Sequence, residues 1–90
     1  MPSYRLVITG KVQGVFYRQS AYEEAQKWNI KGWVKNQPDG AVEAIITGDE
    51  DNVRFFITWC RQGPQQAVVD DIEVVPIEET AFDNFRILRS

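Results

Sequence analysis

Ninety residues, 43% of them hydrophobic and 12% aromatic, suit one domain with a single modest core and argue against intrinsic disorder. The net charge of -3 sets the chain apart from proteins that turn a basic face to nucleic acid, yet leaves room for a local anion site made of a few N–H groups and one arginine. With no histidine and one cysteine, Cys60, a histidine-based triad and an internal disulfide are excluded, and a zinc site lacks its usual ligands.

The N-terminal residues carry no apolar segment followed by a cleavage site, and no stretch reaches the length of a membrane-spanning helix. A cytoplasmic protein without a membrane or nucleic-acid partner is the expectation.

Residues 4–10 alternate and are rich in β-formers, which predicts a first strand. Residues 11–15 contain Gly14 and read as a loop. From about Phe16 to about Asn29 the period changes. Tyr17, Ala21, Ala25 and Trp28 recur at three- and four-residue steps, opposite a polar face of Gln19, Glu23, Glu24, Gln26 and Lys27, as in an amphipathic helix.

Residues 32–35 and 41–47 read as a second and third strand joined through the turn signal Pro38, Asp39, Gly40. Asp49, Glu50 and Asp51 then place negative charge where a helix N-terminus favours it, and Val53, Phe56, Ile57 and Cys60 follow on one face. Gly63 and Pro64 end that helix. Residues 68–75 form a fourth strand and 85–88 a short fifth.

The order is β-α-β-β-α-β with one terminal strand. It predicts a single domain over residues 1–90, an α+β ferredoxin-like sandwich with two helices on one face of a mostly antiparallel sheet. In that layout the first and third strands are central. The loop after the first strand then lies beside the end of the second.

That loop, residues 10–18 (GKVQGVFYR), joins a central strand to a helix N-terminus. The amides there lack partners and carry partial positive charge. Glycine allows a positive φ and a close approach to a ligand, and Arg18 adds a planar fork suited to two phosphate oxygens. Each feature also has an ordinary reading: glycine as a turn residue, Arg18 as a solvated side chain. Arg18 is nevertheless misplaced for the helix dipole, and a bound anion would resolve that misplacement. The loop is neither a Walker loop nor a dinucleotide fingerprint.

Residues 10–18 resemble the signature loop of the acylphosphatase family. Residues 32–48 (GWVKNQPDGAVEAIITG) resemble its second signature, which contains the family's asparagine. Arg18 and Asn36 stand eighteen residues apart, as that pattern requires, and Cys60, Gly63, Pro64 and residues 85–87 follow it more loosely. Tyr17 replaces the commoner phenylalanine.

The resemblance implies hydrolysis of acyl phosphates to a carboxylate and inorganic phosphate with no metal and no cofactor, and with phosphate as product and inhibitor; a monomer is the default for a small enzyme with no evident apolar patch. It further implies that Gln13, Gly14, Val15, Phe16, Tyr17 and Arg18 lend backbone amides to the phosphoryl group. Arg18 adds its guanidinium and Asn36 holds the attacking water. A carboxylate leaves readily, so the lack of a histidine acid is no obstacle. Phosphoryl transfer rests on positioning and charge stabilisation.

Two other functions share this topology. An RNA-binding module would carry aromatics on its central strands, and the third strand (AVEAIIT) has none. A carbamoyl-phosphate-processing domain of a larger maturation protein would belong to a longer chain. Away from the two motifs, Asn36 also reads as a turn neighbour. Trp28, Trp33 and Trp59 read as packing residues rather than base-stacking platforms, and Cys60 as a small buried hydrophobe.

Overall fold

The computed structural model describes residues 1–89. In chain order the elements are β1 (Ser3–Lys11), α1 (Tyr17–Lys27), β2 (Lys31–Asn36), β3 (Val42–Thr47), α2 (Glu50–Gln62), β4 (Val68–Ile77) and β5 (Phe85–Leu88). They form a five-stranded sheet in the order β4-β1-β3-β2-β5. Three strand pairs are antiparallel, and β5 joins β2 in parallel at the edge. The fold is the expected α+β ferredoxin-like sandwich, with β1 and β3 inside the sheet.

Strand alternation sorts the two faces of the sheet. The rows Leu6, Ala44, Val34 and Ile8, Val42, Asn36 lie across β1, β3 and β2 in register. The apolar members of these rows are buried with Ala21 and Ala25 of α1 and with Val53, Phe56 and Cys60 of α2. At about 25 cal/mol per Å² of apolar surface removed from water, this shared core is the main term holding both helices to the sheet. Asn36 ends the row that faces the helices, where the pattern otherwise calls for an apolar residue.

The same register brings several chain ends together. Ile8 near the end of β1, Val42 at the start of β3 and Asn36 at the end of β2 are aligned. Lys35 pairs with Leu88, so β5 also ends there. Parallel pairing of β5 is what carries the last described residues to this edge.

Helix α1 is shorter than its sequence pattern, because its last turn closes early. Asn29 takes a positive φ of 53°, and the Ile30 amide donates to the Ala25 carbonyl, an αL ending that asparagine tolerates. Trp28 consequently sits at the cap, partly buried, stacked on Phe55 at 4.6 Å between ring centroids. Strand β4 continues through Pro76, which is compatible with a sheet because β4 is an edge strand.

Candidate active site

The β1–α1 loop is shaped first by backbone geometry. Register between β1 and β4 slips at Thr9 and Gly10, a bulge that bends β1 as it leaves the sheet. Gly10 has φ 124°, and a Cβ there would lie 2.2 Å from the Val68 carbonyl oxygen, so only glycine lets the two backbones meet. Val12 and Val15 turn into the core, anchoring the loop from beneath.

The start of α1 is unconventional. Phe16 occupies the cap with φ 63° and offers no capping side chain, and the first turn contains no acidic residue. The N–H groups of a first helical turn have no intrahelical partner, and neither of the usual suppliers is present here. Arg18 adds a cation to the same turn. Its guanidinium donates to the Leu88 carbonyl at 3.4 Å, tying it to the end of β5.

Gln13 connects the loop to the β2–β3 hairpin. Its side-chain amide donates to the carbonyls of Gln37 and Ala41, both at 2.8 Å. The hairpin turn is held in turn by Gln37 N–H on Ala41, Gly40 N–H on Gln37 and the Ala41 amide on Asp39 Oδ1. Beneath it, Glu43 takes hydrogen bonds from Arg5 (2.6 Å) and from the Gln37 side chain. Asn36 therefore stands at a fixed position next to the loop.

A cleft of about 450 Å³ opens between these parts. Of the residues expected to bind phosphate, Gly14, Phe16, Tyr17 and Arg18 line it, and Asn36 lines it from the strand side. Gln13 and Val15 do not. The first clasps the hairpin and the second packs inward. Among the described residues the cleft has no acidic lining, and the ion pairs formed elsewhere do not involve Arg18. Among the described residues, Asn36 Oδ1 is buried and has no hydrogen-bond partner. A buried acceptor left unpaired costs about 1–3 kcal/mol, so its retention calls for a ligand or water to satisfy it.

Tyr17 fixes the base of the site. Its hydroxyl donates to the Cys60 carbonyl at 2.7 Å, and its ring lies 5.4 Å from that of Trp59. Burial pushes the phenol far above the ordinary tyrosine range and the Cys60 thiol up to about 12. Both side chains stay neutral and act as packing, as the sequence reading of Cys60 expects. Among the described residues, no three acidic or cysteine side chains are grouped closely enough to hold a metal.

Sequence reasoning missed Gln19 and Arg89 as cleft residues, and the clasp made by the Gln13 side chain. Gln19 is hidden in the helix's polar pattern. Arg89 follows a short strand whose partner no local pattern names.

Comparison with known proteins gives the family. The family model described as Acylphosphatase matches residues 4–87. The chain belongs to the acylphosphatase family. It is 44% identical to the acylphosphatase of Syntrophus aciditrophicus (strain SB) and 46% identical to that of Albidiferax ferrireducens. Each alignment covers 98% of this chain, with 93% and 95% of the relatives. The crystal structure of acylphosphatase from Bacillus subtilis superposes with a TM-score of 0.95 at 34% identity, covering 99% of this chain and 100% of that one. The protein is thus an enzyme that hydrolyses acyl phosphates.

Proposed function

We propose that the cleft between the β1–α1 loop and Asn36 is where the acyl phosphate is hydrolysed, and that no metal ion takes part. The phosphoryl group sits against the start of α1, where the dipole, the first-turn amides and the Arg18 guanidinium stabilise its equatorial oxygens. Asn36 Oδ1 accepts an O–H of the attacking water and leaves a lone pair on the water oxygen for phosphorus. The water oxygen bonds to phosphorus as the bond from phosphorus to the acyl oxygen breaks. The carboxylate leaves with that electron pair, and the second proton of the attacking water passes to a phosphoryl oxygen. Acyl phosphate dianion and water give carboxylate and dihydrogen phosphate, so atoms and charge balance.

The observation that carries this reading is the unpartnered, buried Asn36 Oδ1 on the wall of a cleft whose opposite wall is an uncapped helix start bearing a cation. The roles assigned to Gly14, Phe16, Tyr17 and Arg18 follow from the same wall. The backbone amides of Gln13 and Val15 join them in the cradle, while their side chains hold the loop by clasping the hairpin and packing inward.

Inorganic phosphate, as product, competes for the cleft. The protein acts as a monomer of a single domain over residues 1–90, the elements packing on one shared core. A lone buried cysteine fits a reducing cytoplasm.

Steady-state kinetics of Asn36→Ala on acetyl phosphate, with and without EDTA, test the reading. Turnover is expected to fall about 10²–10³-fold, the scale of losing one preorganised hydrogen-bonding group, with KM little changed and wild-type activity resistant to EDTA. Near-wild-type turnover in the variant would remove Asn36 from the mechanism. Loss of wild-type activity in EDTA would remove the metal-free route.

A further inference from the structure

Phe16 breaks two rules at once. It is a bulky residue at φ 63°, in the left-handed region that L-residues avoid, and the residue is 76% exposed. Among the described residues, the other non-glycine with positive φ is Asn29, an ordinary occupant at a helix end. The loop's path accounts for the backbone angle at position 16. It does not account for a phenyl ring standing in water, which costs free energy unless something covers it. Outliers of this kind point toward function.

The ring stands where two depressions meet. Phe16 lines the cleft described above and also a second groove of about 260 Å³, formed with Val15, Ser20, Pro64, Gln65 and Gln66. Sheet order sets the two apart. Asn36 lies on the β2 side of the β1–α1 loop, whereas Pro64, Gln65 and Gln66 lead into β4 on its other side, where Val68 pairs with Lys11. In-line displacement at phosphorus needs the attacking and leaving oxygens on opposite sides. With water held on the Asn36 side, the leaving carboxylate and everything attached to it must point toward the β4 side, across Phe16 and into the second groove.

We propose that this groove, with the Phe16 ring as its main contact, binds the acyl part of the substrate and favours extended aliphatic or aromatic acyl groups over acetyl. The proposal rests on the phosphoryl reading of the first cleft. Contact with the acyl chain persists from ground state to transition state, so it acts on KM rather than on kcat. Asn36 and Arg18 act on the phosphoryl end and are indifferent to chain length.

The test is a homologous series: acetyl, butyryl, hexanoyl and benzoyl phosphate, with kcat and KM measured for each. In the wild type kcat/KM rises about two- to fourfold per added methylene, mostly through KM, until the groove is filled. Phe16→Ala flattens the series, and Phe16→Leu restores part of the slope because it returns apolar contact area. Ser20→Leu, which fills the groove without altering the loop, lowers hexanoyl phosphate relative to acetyl phosphate. A flat wild-type series, or a slope unchanged in both Phe16→Ala and Ser20→Leu, overturns the groove. Arg18→Ala separates the two readings. A uniform collapse across the series alongside a flat wild-type slope removes the groove and leaves the phosphoryl cleft standing. Undiminished activity in Arg18→Ala overturns both.

Discussion

The two helices begin in opposite ways. Helix α2 starts as an isolated helix would. Asp49 caps it by accepting the Asp51 amide, Glu50 and Asp51 sit in the first turn, and Arg61 is in the last. Helix α1 starts with an uncapped, left-handed Phe16, no acidic residue and a cation two residues on. Both pack on the same core, so packing does not explain the contrast. One N-terminus is satisfied by its own chain. The other is left without a cap from its own chain, and that is the end lining the 450 Å³ cleft beside Asn36, where we propose the phosphoryl group binds. Local capping rules are kept at the start of α2 and relaxed at the start of α1, the end proposed to bind substrate.

Substitutions can break this contrast. The largest expected effect is at Arg18. Arg18→Ala should lower kcat/KM for acetyl phosphate about 10²–10³-fold. It should leave the urea midpoint unchanged or slightly higher, since removing a cation from the positive end of a helix relieves about 0.3–1 kcal/mol. Kinetics and urea denaturation on the same preparation check it. A stability loss matching the loss of activity would show α1 to be an ordinary helix start.

Next is the alkaline response of the contact joining the two helices, Tyr17 on Cys60. The folded protein keeps protons that the unfolded chain releases from its ordinary values of 9.0 for the thiol and 10.0 for the phenol. Both folded values are raised, so this stability is fully present below pH 9. It declines as pH climbs toward 12, by about 1.4 kcal/mol per pH unit for each group that is ionised only when unfolded. Urea midpoints measured from pH 8 to pH 11 should fall steeply in the wild type and less steeply in Tyr17→Phe. An equal slope in the two would remove Tyr17 from the alkaline term.

A smaller change is expected at the other cap. Asp49→Ala should cost about 1 kcal/mol of stability through the lost hydrogen bond to Asp51, and leave kcat/KM for acetyl phosphate unaltered. Smallest is Phe16→Gly, expected to raise stability by about 0.5 kcal/mol, because relief of the left-handed backbone outweighs the entropy that glycine adds to the unfolded chain. Thermal unfolding of both variants gives opposite signs if the two helix starts differ as described. A destabilised Phe16→Gly would mean that the ring supports the fold.

What local pattern could reveal, it revealed. Ala21 and Ala25 at helical spacing marked α1, Asp49 to Asp51 marked the start of α2, and Pro38, Asp39 and Gly40 marked the hairpin. The loop 10–18 and Asn36 were legible as a pair because their residue types match the family's two signatures at the right spacing. Those signals depend on neighbours a few residues away, so sequence alone determined the elements, their order, the family and the residues to examine.

Tertiary structure decided how they meet. Only strand register puts Asn36 on the helix-facing side with its oxygen unpaired, because the two sides of a strand are distinguished by what packs on them. Only the parallel seating of β5 on β2 brings the Leu88 carbonyl to Arg18 and Arg89 to the cleft, a pairing between residues more than fifty positions apart. The clasp from Gln13 to the hairpin and the exposed Phe16 ring between two depressions likewise have no local signature. Side-chain direction and long-range pairing are set by the whole chain's burial and hydrogen bonding, and the order of residue types carries that information without displaying it.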